Sequence, residues 1–148
     1  MKAFRFRMEK VLQLRRQIED EKKRELSILL FDLRQQEARL HSLERELEEC
    51  KADLMSDLQE REISVPRLMV FAAYMERRTL DIKSQQERIL ELHKTIEAKR
   101  KELMEAMQNR MSMERVRAQR QAEYRADALR EEINFLDEVG GFQQVHAV

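Results

Sequence analysis

The chain has 148 residues and carries 29 Lys+Arg against 29 Asp+Glu, so 39% of it is charged while its formal net charge is zero. With 2 Gly, 1 Pro and no Trp, it lacks the turn formers that a multi-hairpin sheet requires, and its regularly recurring Leu, Ile and Met separate it from a disordered polar chain. The balanced charge gives no reason to expect nucleic-acid binding, no apolar run approaches the roughly 20 residues that span a bilayer, and a lone cysteine, Cys50, excludes an internal disulfide and suggests a reducing compartment.

The basic beginning of the chain has no apolar stretch of signal-peptide type, so a cytoplasmic protein is expected. That beginning reads FRFRMEKVLQLRR, residues 4–16. On a helical wheel Phe4, Met8, Val11 and Ile18 fall within a narrow arc, and Phe6 points away from it. The pattern predicts a first helix over about 5–62, with Phe4 in its seam. Phe6, between Arg5 and Arg7, is either a partner contact or part of a frayed terminus.

Leu26, Leu33, Leu40, Leu47 and Leu54 then recur every seventh residue, which is a heptad seam. This seam is one residue out of phase with the series ending at Ile18, so a local phase correction is expected between Ile18 and Leu26. Cys50 falls at a d position and reads as a small buried hydrophobe rather than a reactive thiol. The segment REISVPR, residues 61–67, holds the proline. Proline suits a first helical turn and Ser64 suits a cap, so a turn is predicted at 63–65.

A second helix is predicted over about 66–138, ended by Gly140 and Gly141, with a short tail at 139–148. Leu68, Met75, Ile82, Ile89, Ile96 and Leu103 form its seam, supported by Phe71, Leu92 and Ala106. The same positions then fall on Arg110 and Arg117, where the seam is expected to run out. A new apolar series follows at Ala122, Ala126, Leu129, Ile133 and Leu136. Met104, Met107 and Met111 read as seam filler or as an adaptable partner surface.

The short connection forces an antiparallel pairing. The expected fold is all-α, one coiled-coil domain in which two long helices form an antiparallel hairpin. Folding about residue 64 places Leu54 near Met75 and the N-terminus beside residues 120–125. The paired termini, with Arg110, Arg115, Arg117, Arg120 and Arg125, then make a basic end. These charges are either solvated ion pairs or the surface that enters an acidic pocket. No glycine-rich phosphate loop occurs, and His41, His93 and His146 are too scattered for a metal cluster. No enzymatic activity, cofactor or metal is expected.

The stretch FRFRMEKVLQLRRQIEDEKKREL followed by a leucine seam resembles the opening of the FliJ family, small coiled-coil proteins of the bacterial flagellar export apparatus. ISVPRLMVFAAYMERR, with Phe71 and Tyr74, and the acidic close REEINFLDEVG, with Leu136, Asp137 and Glu138, carry the same resemblance. It implies a central stalk whose paired termini insert into a hexameric export ATPase and which links that ATPase to the cytoplasmic domain of the membrane export gate. It also implies contact with free export chaperones and a place on the cytoplasmic face of the membrane. Phe4, Arg5, Phe6, Arg7 and Arg125 would face the ATPase, and Tyr74, Arg78, Asp81 and Gln85 the gate. The alternatives are a homodimerising coiled-coil scaffold and the corresponding stalk of a virulence-type secretion system.

Overall fold

The computed structural model describes residues 2–60 and 63–146, which contain two α-helices, α1 at Glu9–Glu60 and α2 at Val65–His146, and no strand. The chain is all-α, a coiled-coil hairpin of two long helices packed on each other. In the unit formed by residues 22–102, Asp57 meets Arg67, Glu46 meets Arg78, Gln36 meets Gln85 and Glu25 meets Lys99. Position falls along one helix as it rises along the other, which is antiparallel pairing. In the unit formed by residues 2–21 and 103–146, the pairs Glu19 with Arg110, Arg16 with Glu114, and Glu9 with Arg117 run the same way.

The helix ends differ from the sequence reading at two places. The first helix begins at Glu9 rather than near residue 5, and residues 2–6 are not helical. The Glu9 N–H donates to the Phe6 carbonyl at 3.1 Å, and the Glu9 carboxylate suits the positive end of the helix dipole. The expected end at 62 lies outside the described residues. The second helix does begin behind a Ser64 cap: the Arg67 N–H donates to Ser64 Oγ at 3.4 Å, and Pro66 occupies the first turn. It does not stop at Gly140, however, but continues through both glycines to His146. Neither glycine has a positive φ, so neither makes the left-handed cap that ends a helix.

The seam also differs from expectation. Leu12, Arg15, Glu19 and Lys22 lead in unbroken steps of three and four into Leu26, Leu29 and Leu33, all buried or half-buried. No phase correction occurs, and Ile18 is left exposed. The heptad holds its phase because the polar members of the seam find partners on α2. On α2 the seam likewise does not run out, since Arg110 and Arg117 occupy it and are met by Glu19 and Glu9. Polar seam positions of this kind fix register at some cost in stability.

Lys22, Glu25, Lys99 and Glu102 form an alternating cluster, with Lys99 Nζ at 2.7 Å from Glu25 and 2.9 Å from Glu102, and Lys22 Nζ at 3.1 Å from Glu102. The Lys99 hydrogen bond holds the Glu25 carboxyl below its ordinary pKa. Lys99 and then Lys22 do the same for Glu102, and Glu25 and then Glu102 raise Lys99. The carboxylates' contribution is therefore present above the ordinary carboxylate pKa and fades as pH falls through their lowered values. The Lys99 contribution is present below the ordinary lysine pKa and fades as pH rises through its raised value. In Lys99→Met the Glu25 and Glu102 carboxyls titrate at higher pH than in the parent, read by NMR of their side-chain carbons. Unmoved titration curves would remove Lys99 as the cause.

Candidate functional site

Among the described residues no group of three or more His, Cys, Asp or Glu is placed to hold a metal. The surfaces that stand out are suited to partners. The first is the N-terminal segment. Phe4 and Phe6 are half-buried while Arg5 and Arg7 are exposed. Residues 2–6 are not helical and residues 7–8 form the turn into α1, so Phe4 and Phe6 are not held on opposite sides of a helix, and both line one cavity beside α2. The Phe4 ring meets Tyr124 with centroids 5.5 Å apart, and the Tyr124 hydroxyl donates to the Lys2 carbonyl. A cavity of about 590 Å³ follows this segment, lined by both phenylalanines, by Arg5 and Arg7, and by Val116, Arg120, Tyr124 and Asp127. The expected meeting of the N-terminus with residues 120–125 is therefore present. Arg125 is exposed, one residue beyond the aromatic contact.

Beside it lies a charged layer that the sequence reading did not assign. Glu19 is 3% exposed and accepts a hydrogen bond from Arg110. Arg110 also reaches Glu114 at 2.9 Å, and Arg16 reaches the other Glu114 oxygen at 3.3 Å. Glu9 meets Arg117 at 3.2 Å. The available signal was that Glu19 lies seven residues before Leu26, in phase with the leucine seam. Tyr124 had no such signal, because only the tertiary pairing brings it to Phe4.

The second surface lies early in α2. Tyr74 is 37% exposed. The Arg78 guanidinium lies over its ring at 5.0 Å, donates a hydrogen bond to Asp81 at 2.7 Å and forms an ion pair with Glu46 at 3.1 Å. Gln85 belongs instead to the seam: it is 3% exposed and its amide donates to the Gln36 side-chain oxygen at 2.7 Å and backbone oxygen at 3.0 Å. Next to Tyr74, a cavity of about 370 Å³ is lined by Phe71, Val70, Arg67, Cys50 and three carboxylates, Glu46, Glu49 and Asp53. Cys50 is a free, buried thiol in its floor.

A third feature is α2 itself from Leu129 to His146, where every described residue is exposed, including Leu129, Ile133, Phe135, Leu136 and Phe142. Met104, Met107 and Met111 are exposed as well, so they do not fill the seam. No helix is long and apolar enough to cross a membrane among the described residues.

A hairpin of two charged helices, with ion pairs set among buried side chains such as Leu12, Leu43 and Ile96 and with many apolar side chains exposed, defines a structural coiled-coil protein. Comparison with known families matches residues 4–146 to the flagellar FliJ protein family. The chain belongs to that family and is accordingly a structural component of the flagellar export apparatus. No match is found among curated proteins or among solved structures.

Proposed function

We propose that the chain is the stalk of the export apparatus, inserted by its paired termini into a hexameric ATPase and touching the export gate through the start of α2. The observation that carries this reading is the N-terminal segment lying beside α2, where Phe4 and Phe6 are half-buried, Arg5 and Arg7 are exposed, and all four line one cavity with Arg120 and Tyr124. Phe4, Arg5, Phe6, Arg7 and Arg125 form the ATPase contact. At the gate, Tyr74 makes the direct contact and Arg78 and Asp81 orient it, while Gln85 holds the local register through Gln36. The chain contributes no catalysis of its own. It works in the cytoplasm at the membrane face, serves motility, and also meets free export chaperones.

The triple variant Arg5→Ala, Phe6→Ala, Arg7→Ala is expected to lose most of the stimulation of the ATPase ring while retaining its helix content and its binding to the gate domain. Tyr74→Ala gives the converse result, weakened gate binding and undiminished ATPase stimulation. Raised salt reduces the ATPase effect, since exposed charges are screened beyond about 8 Å at physiological ionic strength. Full stimulation by the triple variant would place the working end elsewhere.

A further inference from the structure

The N-terminal segment is fastened to α2 at one residue. Arg117 of α2 meets Glu9, the first residue of α1, at 3.2 Å. Tyr124 lies about two turns further along α2, roughly 10 Å at 1.5 Å per residue, on the part of that helix that has passed the start of α1. Residues 2–8 lie there instead of a helix, along a cavity that they share with Val116, Arg120, Tyr124 and Asp127.

Among the described residues, the hydrogen bond and the ring contact that residues 2–5 make both end on Tyr124. Its hydroxyl donates to the Lys2 carbonyl, and its aromatic ring meets Phe4 with centroids 5.5 Å apart and planes tilted by 50°. Tilted aromatic pairs are favourable beyond the area they bury, and a tyrosine hydroxyl drawn out of water takes a polar partner. Because the segment is not helical, the Lys2 carbonyl is free to be that partner. Both aromatic side chains are half-buried. Arg5 and Arg7 are exposed, and among the described residues neither enters an ion pair. Arg16, Arg110 and Arg117 differ from them in being spent on carboxylates within the hairpin.

We propose that Tyr124 is the positioning residue of the ATPase contact: with Phe4 as its anchor it fastens the N-terminal segment to α2 and so presents Arg5 and Arg7 in one place before the hexamer is met. This rests on the stalk reading and adds to it a residue outside the contact itself. A segment ordered in advance does not lose its chain freedom at the moment of binding, which is how preorganisation raises affinity. Within the contact, Phe4 then serves as the anchor, while Arg5, Phe6 and Arg7 face the hexamer.

The test reads docking and stimulation separately on the full chain. For docking, a nitroxide is attached at Ala3→Cys in a Cys50→Ala background, and its broadening of the amide signals of residues 120–127 is followed by NMR. Broadening is expected in the parent. It should weaken in Tyr124→Phe, which keeps the aromatic ring and loses the hydrogen bond. It should vanish in Tyr124→Ala, whose helix content by circular dichroism is unchanged because alanine favours helix. For stimulation, Tyr124→Ala should need about tenfold more protein for half-maximal effect on the hexamer, the upper worth of an aromatic pair, and should still reach the parent's plateau. Phe4→Ala should shift the curve the same way, and the double variant no further than the larger single shift, since the two side chains act as one anchor. The proposal is overturned by a parent without broadening, by full broadening in Tyr124→Ala, by additive shifts, by a lowered plateau at unchanged half-maximal concentration, or by a freed segment that stimulates as the parent does. Full stimulation by the triple variant at Arg5, Phe6 and Arg7 overturns the stalk reading and the positioning role with it, while the broadening still decides whether Tyr124 fastens the segment.

Discussion

Leu12→Ala is expected to lower the stability of the chain by about 2–5 kcal/mol, the range for truncating a buried leucine. Leu12 is 0% exposed and, with Ile96, is one of the two largest fully buried side chains among the described residues. A two-helix seam has few such positions, so each carries a large share of the total, and its neighbours cannot collapse around the gap without breaking the packing on either side. Ile18→Ala is the matched control. Ile18 is 39% exposed, off the seam, and its loss should stay within about 0.5 kcal/mol. Thermal or urea denaturation of the two variants separates them. Equal losses, or a larger loss at Ile18, would show that the seam runs through Ile18 after all.

Glu19→Leu is the second change expected to be severe. It removes the carboxylate that meets Arg110 in the seam and leaves a guanidinium facing an apolar side chain, with only Glu114 still paired to it. Breaking a buried ion pair from one side is strongly destabilising because the remaining charge loses its compensation. Replacing both partners, Glu19→Leu with Arg110→Leu, should recover most or all of the loss, since well-packed apolar residues often match or exceed a buried pair. The double variant should also lose uniqueness of register, because a leucine seam without polar layers tolerates sliding. Melting temperature reports the first two results, and disulfide trapping between cysteines on α1 and α2 reports the third. A double variant no more stable than the single would show that Glu19 and Arg110 do not act as a pair.

The outline of this protein was legible in its sequence because it rests on local rules. Scarce glycine and proline, leucine at every seventh position, and Ser64-Val65-Pro66 between two apolar series are enough to specify two helices, one turn and an antiparallel return. The burial of Cys50 and Ile96 follows from the same period. The family resemblance rested on the order of weak motifs along nearly the whole chain, and the match over residues 4–146 has the same origin.

Tertiary structure decided whatever depended on a partner across the hairpin. Leu12 rather than Ile18 enters the seam because Glu19, Lys22 and Arg15 find partners on α2, so polar residues keep the phase that hydrophobicity alone had seemed to break. Arg110 and Arg117 extend the seam for the same reason. Gln85 is a register residue rather than a free surface group because Gln36 lies opposite it. FRFR has the composition of a helix start, yet α1 begins only at Glu9, and the segment before it meets Tyr124, whose ring contacts Phe4 and whose hydroxyl donates to the Lys2 carbonyl. Period and propensity act within about one turn of a residue. The energy of a buried charge or an aromatic contact depends on a group some ninety or more positions away in the chain, and only the folded pairing supplies it.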